Sequence, residues 1–432
     1  MSPITDHPLR YKLSNELHAR PFPALKAPCR AVYLAVKKAE EAASRDRNLD
    51  LEHLFDLLDR YGATHPQPGA THYFGKIGQY MLKWEQHTEF VTYTVFLNGL
   101  SDRPFDPADF EVFPNDWLER APGVRMTSAL IRCALRPDDA TMEQHIEDWF
   151  VSESVAMSSV IDDQAVIAGD FRIDTAGHLR FGLFVGPDVG ERRMGRIVQR
   201  LCEIETYKVM SMLGFTRVKW IAPRISEIDK ELTDLMDAMT HGNKRTDQTL
   251  KSLLSVSAEL ETLSAQTSFR FGATGAYEAI VTQRISVLRE ERFNGRQTFA
   301  EFMMRRYDPA MRTVKATEQQ LANLSNRAMR AADLLRTMVE VERSAQNQQL
   351  LESMNHRADM QLRLQETVEG LSVVAISYYA VSLMSYLLYP VASLIGLSKG
   401  MLTALVTLPV VLFVWMMIRR IRKMVEAKGP DM

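Results

Sequence analysis

The apolar and polar positions of this chain follow two periods and then lose periodicity near the C-terminus. Residues 371–389 and 401–418 contain no charged side chain. Each run approaches the roughly 20 apolar residues that cross a bilayer core of about 30 Å. The first has a polar tinge, from several Ser and Tyr. Residues 390–400 between them are too few for a domain, so the pattern predicts a two-helix transmembrane hairpin with a short outer loop. Arg419, Arg420, Arg422 and Lys423 follow the second run in a tail, 419–432. Arg357 and Arg363 precede the first run, and the loop holds Lys399. By the positive-inside bias, both termini and the bulk of the chain are expected on the cytoplasmic side of a bacterial inner membrane.

Upstream, the period changes twice. Pro3, Pro8, Pro21, Pro23 and Pro28 crowd residues 1–28, which are expected to form an extended arm. Residues 29–225 then read as strands at 30–36, 80–85, 90–97, 124–135, 155–167 (interrupted at Asp162-Asp163), 171–174 and 179–185, with period-2 alternation clearest in the 80–85/90–97 hairpin. Thr175, Ala176 and Gly177 are expected to turn a tight hairpin between the last two. Helical spacing appears at 40–61, at 141–150 and from Glu191 onward. Hairpins dominate, so the fold class expected is α+β with a mixed, largely antiparallel sheet.

Residues 226–370 carry a 3–4 repeat, through Leu232, Leu235, Leu253, Val256, Leu260 and Leu263 and again through Leu321, Leu324, Ala328, Ala331, Met354 and Val368. A long, coiled-coil-like stalk is expected. A new helix is expected after Pro223, a weak middle at His241, Gly242 and Asn243, a break at Gly272 and Gly275, and a kink at Pro309. Neither Gly nor Pro occurs in 311–369, a stretch that extends about 90 Å as one helix. Its seam needs cover from the 226–266 helix, from other subunits, or from both.

Composition narrows the function classes. Among 432 residues, 52 Lys and Arg face 54 Asp and Glu, a net charge of −2. That balance lacks the basic excess of a nucleic-acid binder. Cys29, Cys133 and Cys202 are odd in number and far apart, without CxxC spacing, which suits a reducing compartment. The N-terminal residues have no apolar core of a cleavable signal, so insertion is expected to rely on the hairpin.

Few residues invite chemistry. His18 and Arg20 in the arm can contact an anion or make structural hydrogen bonds. His65 and His72 flank a Pro/Gly loop, but a metal site needs a third ligand, and none is implied. Asp138-Asp139 and Asp162-Asp163 read as turn and surface carboxylates. No nucleophile elbow, P-loop, zinc-binding helix or dinucleotide fingerprint is present, so no catalytic residue and no cofactor are assigned. In the first span, Tyr378, Ser382, Ser385 and Tyr389 fall on one helical stripe, and Thr403 and Thr407 are four apart in the second. Such hydroxyls either pack helices together or line a hydrated pore.

Two resemblances follow. The stretch 364–379 (LQETVEGLSVVAISYY) and the arm motif 16–21 (ELHARP) resemble a family of bacterial membrane-anchored proteins of unestablished function. The order of a cytoplasmic domain, a long stalk helix, a short outer loop and a basic tail is similar to CorA-type magnesium channels. That likeness implies a pentamer whose first membrane helix lines a path for a divalent cation. The Gly-Met-Asn motif that ends the first membrane helix in those channels is replaced here by Leu388, Tyr389, Pro390 and Val391. Gly400 and Met401 repeat two of its letters, at the start of the second helix. Two functions are therefore expected, the first as the leading reading and the second as its alternative. One is an oligomeric cation conduit without that motif, and the other is a membrane-tethered scaffold or sensor without transport. Membrane lipid and further copies of the chain are the expected partners.

Overall fold

The computed structural model describes residues 4–11, 13–14, 22–240, 246–395 and 398–426, without the side chains of 246, 247, 392–394 and 422–426. The chain forms two compact units, Met1–Ala332 and Asp333–Met432.

The first unit is built on nine strands: β1 (Cys29–Lys37), β2 (His72–Ile77), β3 (Tyr80–Gln86), β4 (Phe90–Asn98), β5 (Val124–Leu135), β6 (Ala156–Val160), β7 (Ala165–Gly169), β8 (Leu179–Val185) and the short β9 (Glu291–Arg292). They form one sheet in the order β2-β3-β4-β1-β5-β8-β7-β6-β9. Every pairing is antiparallel except β5 with β8. The mixed sheet thus has more strands than the alternation predicted. Residues 171–174 are not among them, and Phe171 sits in the left-handed region at φ 52°. Asp174 instead caps the turn before β8, its Oδ1 accepting from the backbone of Ala176 and His178 at 2.9 Å each.

Helices cover both faces. On β1, Val32, Leu34 and Val36 point one way and Ala31, Tyr33 and Ala35 the other, as the strand period requires. The first face packs α1 (Arg47–Arg60), α2 (Asn115–Glu119) and α3 (Asp139–Trp149), through Leu54, Leu57, Leu58, Trp117, Met142 and Ile146. Asp138 is the N-cap of α3, accepting from Thr141 N at 3.0 Å. That is a structural use for one of the acidic pairs. The other pair, Asp162 and Asp163, turns the β6–β7 hairpin with φ of 57° at each residue.

The opposite face packs α4 (Glu191–Thr240), α5 (Thr246–Ser286), α6 (Phe299–Arg306) and the first turns of α7 (Asp308–Leu394). α4 and α5 run antiparallel. Arg224 holds Glu259 at 2.5 Å, and Gly214 lies against Thr274. Two expected interruptions are absent. Pro223 lies inside α4, and α5 passes through Gly272 and Gly275. Glycine in a helix costs about 1 kcal/mol, which the packing of a long helix pair outweighs. The interruption expected at Pro309 is present as the break between α6 and α7 at Tyr307, which puts Pro309 in the first turn of α7, where its missing N–H is tolerated. The weak middle expected at 241–243 lies outside the described residues. Leu321, Leu324, Ala328 and Ala331 of α7 are buried within this unit. Arg327 reaches Asp229 of α4 at 2.7 Å, and Lys315 reaches Glu278 of α5 at 2.8 Å. This part of the seam is therefore covered within the chain.

The second unit contains the rest of α7 and α8 (Lys399–Glu426). Pro390 does not end α7, which continues to Leu394. The helix is therefore longer than the apolar run, and the described loop is correspondingly short. Asp308–Val391 and Lys399–Ile421 each contain a window long and apolar enough to cross a membrane. Only 6% and 17% of those windows are buried, which separates them from core helices of a soluble fold.

Candidate functional site

The first unit concentrates polar groups where a sheet and a helix normally bury apolar ones. Cross-strand register builds the floor. One row runs Met81, Phe96, Ala31 and Ile131, and it is apolar. The next row runs Lys83, Thr94, Tyr33 and Ala129. The third runs Glu85, Thr92, Ala35 and Thr127. α4 lies above with Gln199, Cys202, Glu203, Thr206 and Tyr207, whose spacing of three and four puts them on one face. The cavity between them is about 30 Å³, room for about two waters. Pro23 of the arm lines it as well.

A chain of contacts crosses this interface. Glu85 Oε2 lies 3.1 Å from Lys83 Nζ. Lys83 donates to Gln199 Oε1 at 2.7 Å, and Gln199 Nε2 donates to Glu203 Oε1 at 2.7 Å. Arg284 of α5 completes the chain on Glu203. Tyr33 and Thr206 share a buried hydroxyl–hydroxyl bond of 2.5 Å, and burial pushes the Tyr33 phenol well up. Burial likewise pushes the Cys202 thiol up, which makes it inert. At the edge of this region Glu89, 1% exposed, receives Arg270 through both guanidinium nitrogens and Tyr277 Oη at 3.0 Å. Burial and that carboxylate raise the Tyr277 phenol. Lys37 is buried nearby, and desolvation and Arg270 lower its ammonium.

Other residues singled out from sequence lie elsewhere. His18 and Arg20 are outside the described residues. His65 binds Asp59 Oδ1 at 2.7 Å and stacks on Phe55. Among the described residues no group of three or more His, Cys, Asp or Glu could hold a metal ion. The chamber itself was missed. Its only signals were Lys83 and Glu85 two apart in one strand, opposite Thr94 and Thr92 in the next.

In the second unit the stripe of the first span divides. Tyr378, Ser382 and Ser385 line a crevice of about 540 Å³ between the two spans, with Ser377, Tyr386, Thr403, Thr407 and Lys399. Ser385 is buried and Ser382 half-buried, whereas Tyr378 is 70% exposed. Tyr389 does not line the crevice and has the Lys399 ammonium 6.0 Å from its ring. Arg419 and Arg420 are exposed, Arg419 lying over Trp415 at 5.0 Å. Arg422 and Lys423 continue α8, and their side chains lie outside the described set.

Residues 5–425 match the family described as "Protein of unknown function (DUF3422)". The chain belongs to this family. The match spans both units, so the chamber and the hairpin are parts of one family architecture. No curated protein matches the chain. The family assigns no activity, which leaves the geometry to carry the functional reading.

Proposed function

We propose that this member of the family is a membrane-tethered cytoplasmic scaffold or sensor without transport activity. Its hairpin is the anchor in a bacterial inner membrane, with both termini inside. The carrying observation is the direction of the hydroxyl stripe. Ser385 and Ser382 turn toward the chain's own second span, not away from the hairpin. A conduit needs a polar face turned to a shared axis. Lys399 at the loop end also opposes cation entry, and the Gly-Met-Asn motif is absent. The sensing element is the chamber beneath α4, where sheet and helix meet through polar contacts. A fold-level likeness to channels does not by itself assign transport.

The test replaces 371–418 with an unrelated two-span anchor. Retained in vivo phenotype in the chimera supports the tether. A chimera that is folded and membrane-bound yet inactive overturns it.

A second reading, the oligomeric cation conduit, is favoured by the exposed Tyr378, Tyr379 and Tyr386, at 70%, 66% and 72%. Phenols within a span are better matched to neighbouring protein than to lipid tails. A ring of copies, a pentamer by the CorA likeness, supplies such neighbours. That reading predicts divalent-cation entry into proteoliposomes, increased by Lys399→Gln. No entry above empty vesicles removes it.

A further inference from the structure

We propose that the crevice between the two spans binds one anionic phospholipid, with its headgroup phosphate at Lys399 and one acyl chain along the α7 wall. The proposal rests on the hairpin lying in a bilayer, not on the absence of transport.

Four observations carry it. The first is a difference between the hydroxyls. Thr403 Oγ1 donates to the Lys399 carbonyl at 2.9 Å, and Thr407 Oγ1 to the Thr403 carbonyl at 2.6 Å. Those groups are satisfied within α8. Ser377 and Ser385 are 5% and 9% exposed, and their Oγ atoms have no hydrogen-bond partner. A buried hydroxyl without a partner is destabilising, and the hydroxyl rotor of Ser385 can turn toward an ester oxygen in the crevice. The polar end of the ligand is therefore argued from Ser385, Ser377 lying about 12 Å further along the helix beside the acyl chain.

The second observation is charge. Lys399 is the charged side chain among those lining the crevice. It opens α8, where the helix dipole adds positive potential. Its ammonium lies 5.5 Å from the Tyr386 ring, which places it at the crevice end nearest the loop. That is headgroup depth for the leaflet on the loop side.

The third is size. The lining runs along α7 from Val373 to Tyr386, about 20 Å of helix, against about 15 Å for half the bilayer core. The volume of about 540 Å³ falls in the range of roughly 300–1,000 Å³ typical of ligand sites. The fourth is the wall itself. Val373, Val374, Val381 and Val411 supply apolar surface, so a chain with a polar end fits better than a wholly polar ligand.

The experiment is native mass spectrometry of the full-length protein in mild detergent, with phosphatidylglycerol or phosphatidylcholine of identical chains added. One phosphatidylglycerol per chain is expected to be retained, preferred over phosphatidylcholine by about fivefold, the effect of one lysine at an anionic surface. Lys399→Gln, at an exposed position, is expected to remove the preference by lowering phosphatidylglycerol retention to the level of phosphatidylcholine. Thr407→Trp, which fills the crevice from its exposed side, is expected to reduce retention of both lipids. Equal retention of the two lipids, retention of neither, or an undiminished preference in Lys399→Gln overturns the proposal. So does a dimer mass that excludes lipid, which would give the crevice to a second copy. Ion flux is not part of this readout, so its outcome is separable from the anchor exchange.

Discussion

Gly195 of α4 and Pro23 of the N-terminal arm meet backbone to backbone: a Cβ on Gly195 would stand 1.8 Å from the Pro23 carbonyl oxygen. The arm continues to Leu25, which is buried and donates its N–H to the Glu191 carbonyl at 3.1 Å. Any side chain at 195 therefore displaces the arm from the wall of the chamber. Gly195→Ala is expected to cost about 1–3 kcal/mol, the range for overpacking. It should also open residues 22–28 to protease. Wild-type cleavage rates and an unchanged denaturation midpoint would show that the arm is not held there.

Lys83 and Glu85 form a buried pair, with side chains 5% and 12% exposed. Lys83→Met strands two acceptors, the Glu85 carboxylate and Gln199 Oε1. It is expected to destabilise by about 3–5 kcal/mol. The double variant Lys83→Met with Glu85→Leu removes both charges and is expected to recover much of that loss. Urea titrations of both variants and of Glu85→Leu give the coupling. Strict additivity would mean the pair does not act as a unit.

Glu89 ties the turn between β3 and β4 to α5 through Arg270 and Tyr277. Glu89→Gln leaves the Arg270 guanidinium without its carboxylate. Faster amide exchange is expected at 266–280, with little change on the far face of the sheet around 142–149. Uniform acceleration across both regions would instead indicate global destabilisation.

His53 supplies a pH dependence. Its Nε2–H donates to the Trp117 carbonyl at 3.0 Å, its Nδ1 accepts from Tyr93 Oη at 2.9 Å, and its ring stacks on Trp117. This arrangement requires the neutral ring, and burial lowers its pKa. The unfolded chain, with an ordinary histidine pKa of about 6.5, binds the proton more readily. Stability is therefore full above about pH 6.5 and is lost as pH falls through the depressed folded value. His178, also lowered by burial, acts in the same direction. Tryptophan-monitored unfolding should show this slope, reduced in His53→Gln. An identical slope in that variant would remove His53 as its source.

The features legible in the sequence were those with local causes. β1 is buried along nearly its whole length and reads as a continuous apolar run. The two spans are visible because charge is excluded from them. Pro223, Gly272 and Gly275 misled because local propensity lost to the length of the α4–α5 contact. The parallel β5–β8 pair was invisible because it depends on a crossover through α3, β6 and β7. Cys29 and Cys133, remote in sequence, lie opposite one another across β1 and β5 as free thiols, a neighbourhood that no spacing rule reports. The chamber was hidden for the same reason. Lys83 and Gln199 are ordinary surface residues until the register places them face to face.

The contact chain through Lys83 also sets how α4 can slide. Gln199 and Glu203 are four residues apart, so only a shift of about 6 Å along the axis would carry Glu203 close to the place now held by Gln199. Lys83 would then face a carboxylate instead of an amide. Intermediate positions would leave the ammonium between turns and unpaired. The Lys83 contacts thus index α4 against the sheet in whole turns and hold it in one register.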